Sequence, residues 1–275
     1  MATIVAGVGV PHTPTFPSTV GLDDPGETAQ LFRRMREQLD EVRPDVAVMF
    51  DSDHLNTFFL DNLPVFSIGV APRTNGPNDG TPGLAPVELV VDEQLAGHVR
   101  AHCLEADFDV GLSQEFTVDH SVLVPMHYLR PAGDLPMVPV FVNGLISPLP
   151  SAQRCWQLGA AVGKALAQWP EDIRVAVVAS GSFSLDVGGI GVNPGAIFGV
   201  PDPRWVEQIA RWLDAGDVEA VVRAATPAQL AEAGNVGGEL LNWLAMLGAI
   251  GSSKPTSLDV QAQFGHGYGF WRTAV

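Results

Sequence analysis

Seven histidines carry most of the chemistry this sequence can offer. His12 lies in GVGVPHTP, just past an apolar, β-branched run, and His54 lies in MFDSDHLNTFF, just past a second one. In open α/β sheets, ligands gather outside the carboxyl ends of strands, so two imidazoles placed there can converge. Imidazole suits Zn, Cu, Fe or Ni, and two histidines with one carboxylate suit non-haem Fe(II). Neither histidine sits in a short ligand motif such as HExxH, so a hydrogen-bonded structural role competes with ligation at both. Glu239, in NVGGELLNWLAML, is the carboxylate that stands out. It is either a first-turn residue favoured by the helix dipole or a buried ligand.

The other candidates are weaker. His120, in FTVDHSVLVPMHYL, follows Asp119, which could orient its imidazole or cap a helix. His127 lies seven residues further on. His98 and His102 are four apart on one helix face with no third ligand near in sequence, which reads as a solvated face. The two cysteines, Cys103 and Cys155, are far apart and point to buried reduced thiols rather than a disulfide framework or metal cluster. The segment 180–184, SGSFS, follows a strand but lacks the GxSxG pattern of a nucleophile elbow.

The elements that must position these residues follow from hydrophobic period. Strands are expected at 2–10, 45–51, 65–70, 109–112, 138–142 and 173–179. Helices are expected at 27–42, 86–104 and 151–168, and through 203–250 with breaks near Gly216, Thr226 and Gly234. A Gly/Pro loop, 71–84, is long enough to be functional. Alternating strands and helices predict an α/β domain with its sheet covered on both faces, and no linker divides residues 1–275. Neither GxGxxG after the first strand nor GxxxxGK[ST] is present, which argues against nucleotide binding through those loops.

Composition narrows the partners. The chain has 275 residues, 46% hydrophobic, with 15 Lys and Arg against 31 Asp and Glu, a formal charge of −16. Such a chain lacks the cationic footprint for nucleic acid or an anionic membrane surface. No signal-like or membrane-spanning stretch is seen, so a soluble, cytoplasmic protein is expected.

Several segments in order resemble one family: GVGVPHTPTF, DHLNTFF, PVFSIGV, VDHSVLVPMHYL, VPVFVNGLISPLPSAQRCWQLGAAVGKAL, VAVVASGSFSL and GGELLNWLAMLGAI. The chain is similar to the catalytic subunits of class III extradiol ring-cleavage dioxygenases, the protocatechuate 4,5-dioxygenase β-subunit superfamily. The resemblance implies a single α/β domain with a mixed central sheet covered by helices. It also implies Fe(II) held by His12, His54 and Glu239, with His120 as a second active-site histidine touching substrate or oxygen. The substrate would be a small catechol-type aromatic, cleaved with O2, and a homo-oligomer or a small accessory subunit is implied as partner.

One position departs from the family. Its members usually carry SGGxSHQ after the strand at 173–179, and that histidine is the acid/base. Here Leu185 stands in its place, and leucine cannot exchange a proton. His120, His127, His266 and Asp186 are the candidates for that work, and slower turnover on simple catechols is expected. Ortho-aminophenols or polyhydroxybenzoates would alter the proton requirement. Arg73 and Arg154 are the cations that could hold an aromatic carboxylate, and the segment GHGYGFW could line the pocket. A non-catalytic metal-binding homologue and a Zn-dependent hydrolase using the same ligands remain alternatives.

Overall fold

Each buried strand alternates its side chains between two faces, and the sheet is built on that alternation. In the computed structural model, which describes residues 1–188, 198–251 and 254–273, the chain opens with β1 (Thr3–Val10), α1 (Phe16–Thr19), α2 (Glu27–Val42) and β2 (Val46–Asp51). Next come β3 (Phe66–Gly69), β4 (Arg73–Gly76), β5 (Val87–Val90), α3 (Glu93–Glu105), β6 (Gly111–Ser113) and α4 (His120–Leu129). β7 (Met137–Val142), α5 (Ala152–Gln168), β8 (Arg174–Ser180), β9 (Asp186–Val187) and β10 (Phe198–Gly199) follow. The chain then runs through α6 (Pro203–Ala215), α7 (Val218–Ala224), α8 (Pro227–Glu232), α9 (Leu240–Ile250), β11 (Ser257–Gln261) and β12 (His266–Arg272).

Eight strands form one sheet in the order β11-β12-β1-β8-β2-β7-β3-β6. The centre, β1-β8-β2-β7, is parallel, while β12 runs antiparallel to β1 and β3 antiparallel to β7. This is a single α/β domain with a mixed central sheet flanked by helices. Val46, Val48 and Phe50 of β2 face one core with α5 and α9, and Ala47 and Met49 face the other with α2 and α4.

Close backbone approach seats α9. Gly159 and Gly163 of α5 lie so near the carbonyls of Ala245 and Ala249 that a Cβ at either position would collide with them. Gly248 meets the carbonyl of Trp156 in the same way.

The predicted helix over 86–104 begins late. Val87–Val90 is a strand paired antiparallel to β4, and α3 starts only after Asp92, whose side chain accepts from the Leu95 N–H. The β-branched run favours extended backbone, and the carboxylate cap fixes the helix start. The loop at 71–84 contains β4, and the antiparallel pair β11 and β12 near the C-terminus was not anticipated. No helix among the described residues is long and apolar enough to cross a membrane.

Candidate metal centre

The parallel centre of the sheet delivers its loops to one edge. His12 follows β1, His54 follows β2, and Ser180, Ser182 and Leu185 lie at or after the end of β8. Glu239 comes from the single turn before α9, which packs close against the β7 and β8 loops. A Cβ on Gly181 would sit 2.6 Å from that of Glu239, and one on Gly238 would strike the carbonyl of Gly144. Both positions therefore need glycine to bring the Glu239 turn close enough.

Glu239 Oε1 lies 3.0 Å from His12 Nε2 and 3.3 Å from His54 Nε2. Its other oxygen, Oε2, accepts from the Ser182 backbone N–H at 2.7 Å. The far nitrogens are fixed as well. Ser180 Oγ donates to the carbonyl of Ser121 at 2.5 Å, so it can only accept from His12 Nδ1, 2.7 Å away. His54 Nδ1 faces Asp119 Oδ2 at 3.1 Å, and a carboxylate accepts. Both imidazoles therefore carry hydrogen on Nδ1 and turn Nε2 toward the same carboxylate oxygen.

Two imidazole lone pairs aimed at an anionic oxygen repel unless a proton or a cation lies between them. This N,N,O set fits a divalent transition metal, and partners on the outer nitrogens are the usual means of orienting such ligands. The electrostatics agree. Burial alone pushes the His54 imidazolium down, but Asp119 and Glu239 outweigh it and raise its pKa to about 10. Against the same burial penalty, His12 and His54 hold the Glu239 carboxyl far below the ordinary carboxylate range. The position favours positive charge.

His120 opens α4 beside this cluster, its ring stacked on His54 with centroids 4.2 Å apart. Nitrogens of His12, His54 and His120 fall within 4.8 Å of one another, so His120 could also reach a shared ion. Its Nδ1 lies 2.5 Å from Asp79 Oδ2. Burial and the neighbouring His54 lower its pKa. Hydrogen bonds from His120 and Thr81 overcome burial and hold Asp79 down at about 2. A cavity of about 310 Å³ lies over the cluster, lined by His12, His54, His120 and Glu239 together with Leu185.

The sequence reading placed these four residues in one site, and the structure brings all four together. Of the two roles open to Asp119, the structure shows the cap: Asp119 caps α4 through the Ser121 N–H and also grips His54, while Asp79 serves His120. Asp79 belongs to the Gly/Pro loop, and its reach across to α4 left no mark in sequence spacing. His127 lines a separate cavity with Leu84 and Leu123, and Asp186 accepts from the Asn235 N–H. Neither of the two lines the His12 cavity. Arg73 pairs with exposed Glu88, and Arg154 lies over Phe108, so neither cation reaches the cavity. His98 and His102 bond to the Ala165 carbonyl and the Gln168 side chain of α5, away from the His12 cavity. Burial pushes both cysteine thiols up, Cys103 to about 12, which leaves them inert.

The fold and this buried donor set define the class: an α/β protein with an N,N,O cluster at the carboxyl edge of its parallel strands. The chain belongs to the family described as the catalytic LigB subunit of aromatic ring-opening dioxygenase, the class III extradiol enzymes, matched over residues 7–271. A 2,3-dihydroxyphenylpropionate/2,3-dihydroxicinnamic acid 1,2-dioxygenase from Paraburkholderia phymatum is 27% identical, the match covering 90% of this chain and 89% of that one. One from Dechloromonas aromatica is 40% identical over 134 residues, which span 48% of this chain and 40% of the relative. The crystal structure of an uncharacterized protein from Escherichia coli K12 superposes with a TM-score of 0.61 at 16% identity, covering 97% of this chain and 98% of that one. That likeness concerns the fold.

Proposed function

We propose that the protein is an extradiol dioxygenase that opens the ring of a catechol-type aromatic with O2, using Fe(II) held by His12, His54 and Glu239. The observation that carries this reading is the convergence of two Nε2 atoms on Glu239 Oε1, each histidine locked by a partner on Nδ1. The names of the relatives support a 2,3-dihydroxyphenyl ring as substrate. Two buried, unpaired thiols fit a reducing, cytoplasmic setting. In this reading residues 1–275 act as one catalytic unit, and assembly as a homo-oligomer or with a small accessory subunit is part of the same proposal.

When bound, Fe(II) lowers the pKa of a coordinated phenol and relays electron density between ring and oxygen. The chain does the rest. Ser180, Asp119 and the Ser182 N–H hold the three donors rigid, so little reorganisation is needed on loading. His120 has its Nδ1–H committed to Asp79, which leaves Nε2 as the base for the second phenolic proton and the acid that returns one. Leu185, only 8% exposed, walls the cavity where the family's histidine would stand, excluding water and moving no proton.

Metal analysis after anaerobic purification, followed by oxygen uptake on a catechol panel, tests this. Stoichiometric iron with uptake on at least one catechol is expected. Zinc, with no uptake on any compound, would sink the reading.

A further inference from the structure

Leu185 and Thr13 each line two cavities. One is the cavity over the histidine cluster. The other, of about 320 Å³, is lined by Phe16, Val200, Phe264 and His266, with the uncharged side chains of Thr15 and Gln263 beside them. Phe16 and Leu185 are buried there, and Phe264 stands half exposed at the rim. His266 is the ionisable group among the described lining residues, and burial pushes its pKa down to about 3, so it is neutral at pH 7. Its Nε2 is bonded to Thr13 Oγ1 at 3.0 Å.

Charge is the telling feature. Among the described residues no Lys or Arg lines either cavity. The stretch 189–197, GIGVNPGAI, lies outside the described residues and contains none in its sequence. A carboxylate seated in the second cavity would lose its hydration without gaining a cationic partner, in a chain that already carries −16. An uncharged apolar group would gain from burial against Phe16, Leu185 and Phe264.

We propose that this second cavity is the subsite for the substrate's ring substituent, and that it selects an uncharged apolar group, aryl or short alkyl, beside the two hydroxyls. This rests on the ring-cleavage reading and deepens it. It separates the chain from relatives named for a propionate-bearing catechol in the tail of the substrate while keeping the ring in common.

The test is anaerobic calorimetry on the Fe(II)-loaded protein with catechol, 3-phenylcatechol and 3-(2,3-dihydroxyphenyl)propionate. The phenyl compound is expected to bind at least tenfold more tightly than either of the others, about 1.4 kcal/mol. Val200→Trp fills the cavity, and Phe264→Ala removes an apolar wall at an exposed position where folding is not at stake. Each is expected to cut the phenyl-to-catechol affinity ratio at least fivefold. Equal or tighter binding of the propionate overturns the proposal, as does an unchanged ratio in Phe264→Ala. Oxygen uptake is measured on the same samples. A phenyl preference that both variants erode, with no uptake on any compound, supports the subsite and overturns the ring-cleavage reading alone.

Discussion

Asp119 holds His54 at two points, accepting from its backbone N–H at 2.9 Å and from its Nδ1 at 3.1 Å. The carboxylate is buried and lies well below its ordinary pKa, because His54, His120 and the Ser121 hydroxyl outweigh the cost of burial. Asp119→Asn keeps the shape but can turn a donor toward Nδ1. Metal affinity is expected to fall about 10–100-fold, the usual scale for an outer partner of a metal-bound histidine. Competition with a chelator, read by metal content after dialysis, checks it.

Ser180→Ala removes the acceptor that, among the described residues, serves His12 Nδ1 and frees the imidazole to adopt its other tautomer. The same competition should show a loss about 10–100-fold in metal affinity. Glu239→Gln goes further, since it removes the charge on which both Nε2 atoms converge. No iron above background is expected after dialysis, with ring cleavage abolished and the fold retained by circular dichroism.

Leu185→His places an acid/base group on a wall of the cavity. Turnover on catechol is expected to rise, within the 10²–10⁴-fold that positioned acid/base catalysis supplies. Lower activity on every catechol tested would show that Leu185 does not stand in for a missing base.

Asp51 is fully buried on β2, and its Oδ2 has no hydrogen-bond partner among the described residues. Burial, with Asp119 and Asp53 nearby, raises its pKa well above the ordinary carboxylate value. The folded state therefore keeps a proton that the unfolded chain releases. This contribution to stability is complete below the unfolded pKa, about 3.9, and is lost as pH rises toward the folded value. Asp51→Asn does not titrate, so its Tm should gain on the parent between pH 5 and pH 8. Each kcal/mol gained corresponds to about 2–4 °C for a domain somewhat smaller than this one. Thermal melts across that range decide it, and a constant difference would refute the assignment.

Gly159→Ala places a methyl group against the Ala245 carbonyl. The α5–α9 seam would have to open, at a cost of about 1–3 kcal/mol. Because Glu239 precedes α9, iron retention should weaken together with the urea midpoint.

Much of this molecule is legible in its sequence because buried parallel strands announce themselves as apolar runs that end in polar loops. His12 and His54 were conspicuous for that reason, standing just beyond two such runs. Glu239 was conspicuous as a charge inside an apolar helix. Asp79 and Ser180 were not, because their partners are set by tertiary contacts across 41 and 168 residues rather than by local period. β5 reads as helix because the four residues of VELV cannot show a period, and the helix start is set by the Asp92 cap five residues past Val87. β12 is hard to read because HGYGF alternates its larger side chains with glycine rather than with polar residues, so no apolar–polar pattern marks a strand, although every one of those residues is buried.

His12 and Glu239 stand 227 residues apart and meet only through a completed sheet. Contacts of such range form slowly, since much chain must be ordered before they are gained. A growing chain therefore offers no assembled donor cluster for a metal until α9 has docked. An ion that recognises the finished arrangement alone would act as a thermodynamic latch, pulling the population toward the native state in proportion to how far its concentration exceeds its dissociation constant.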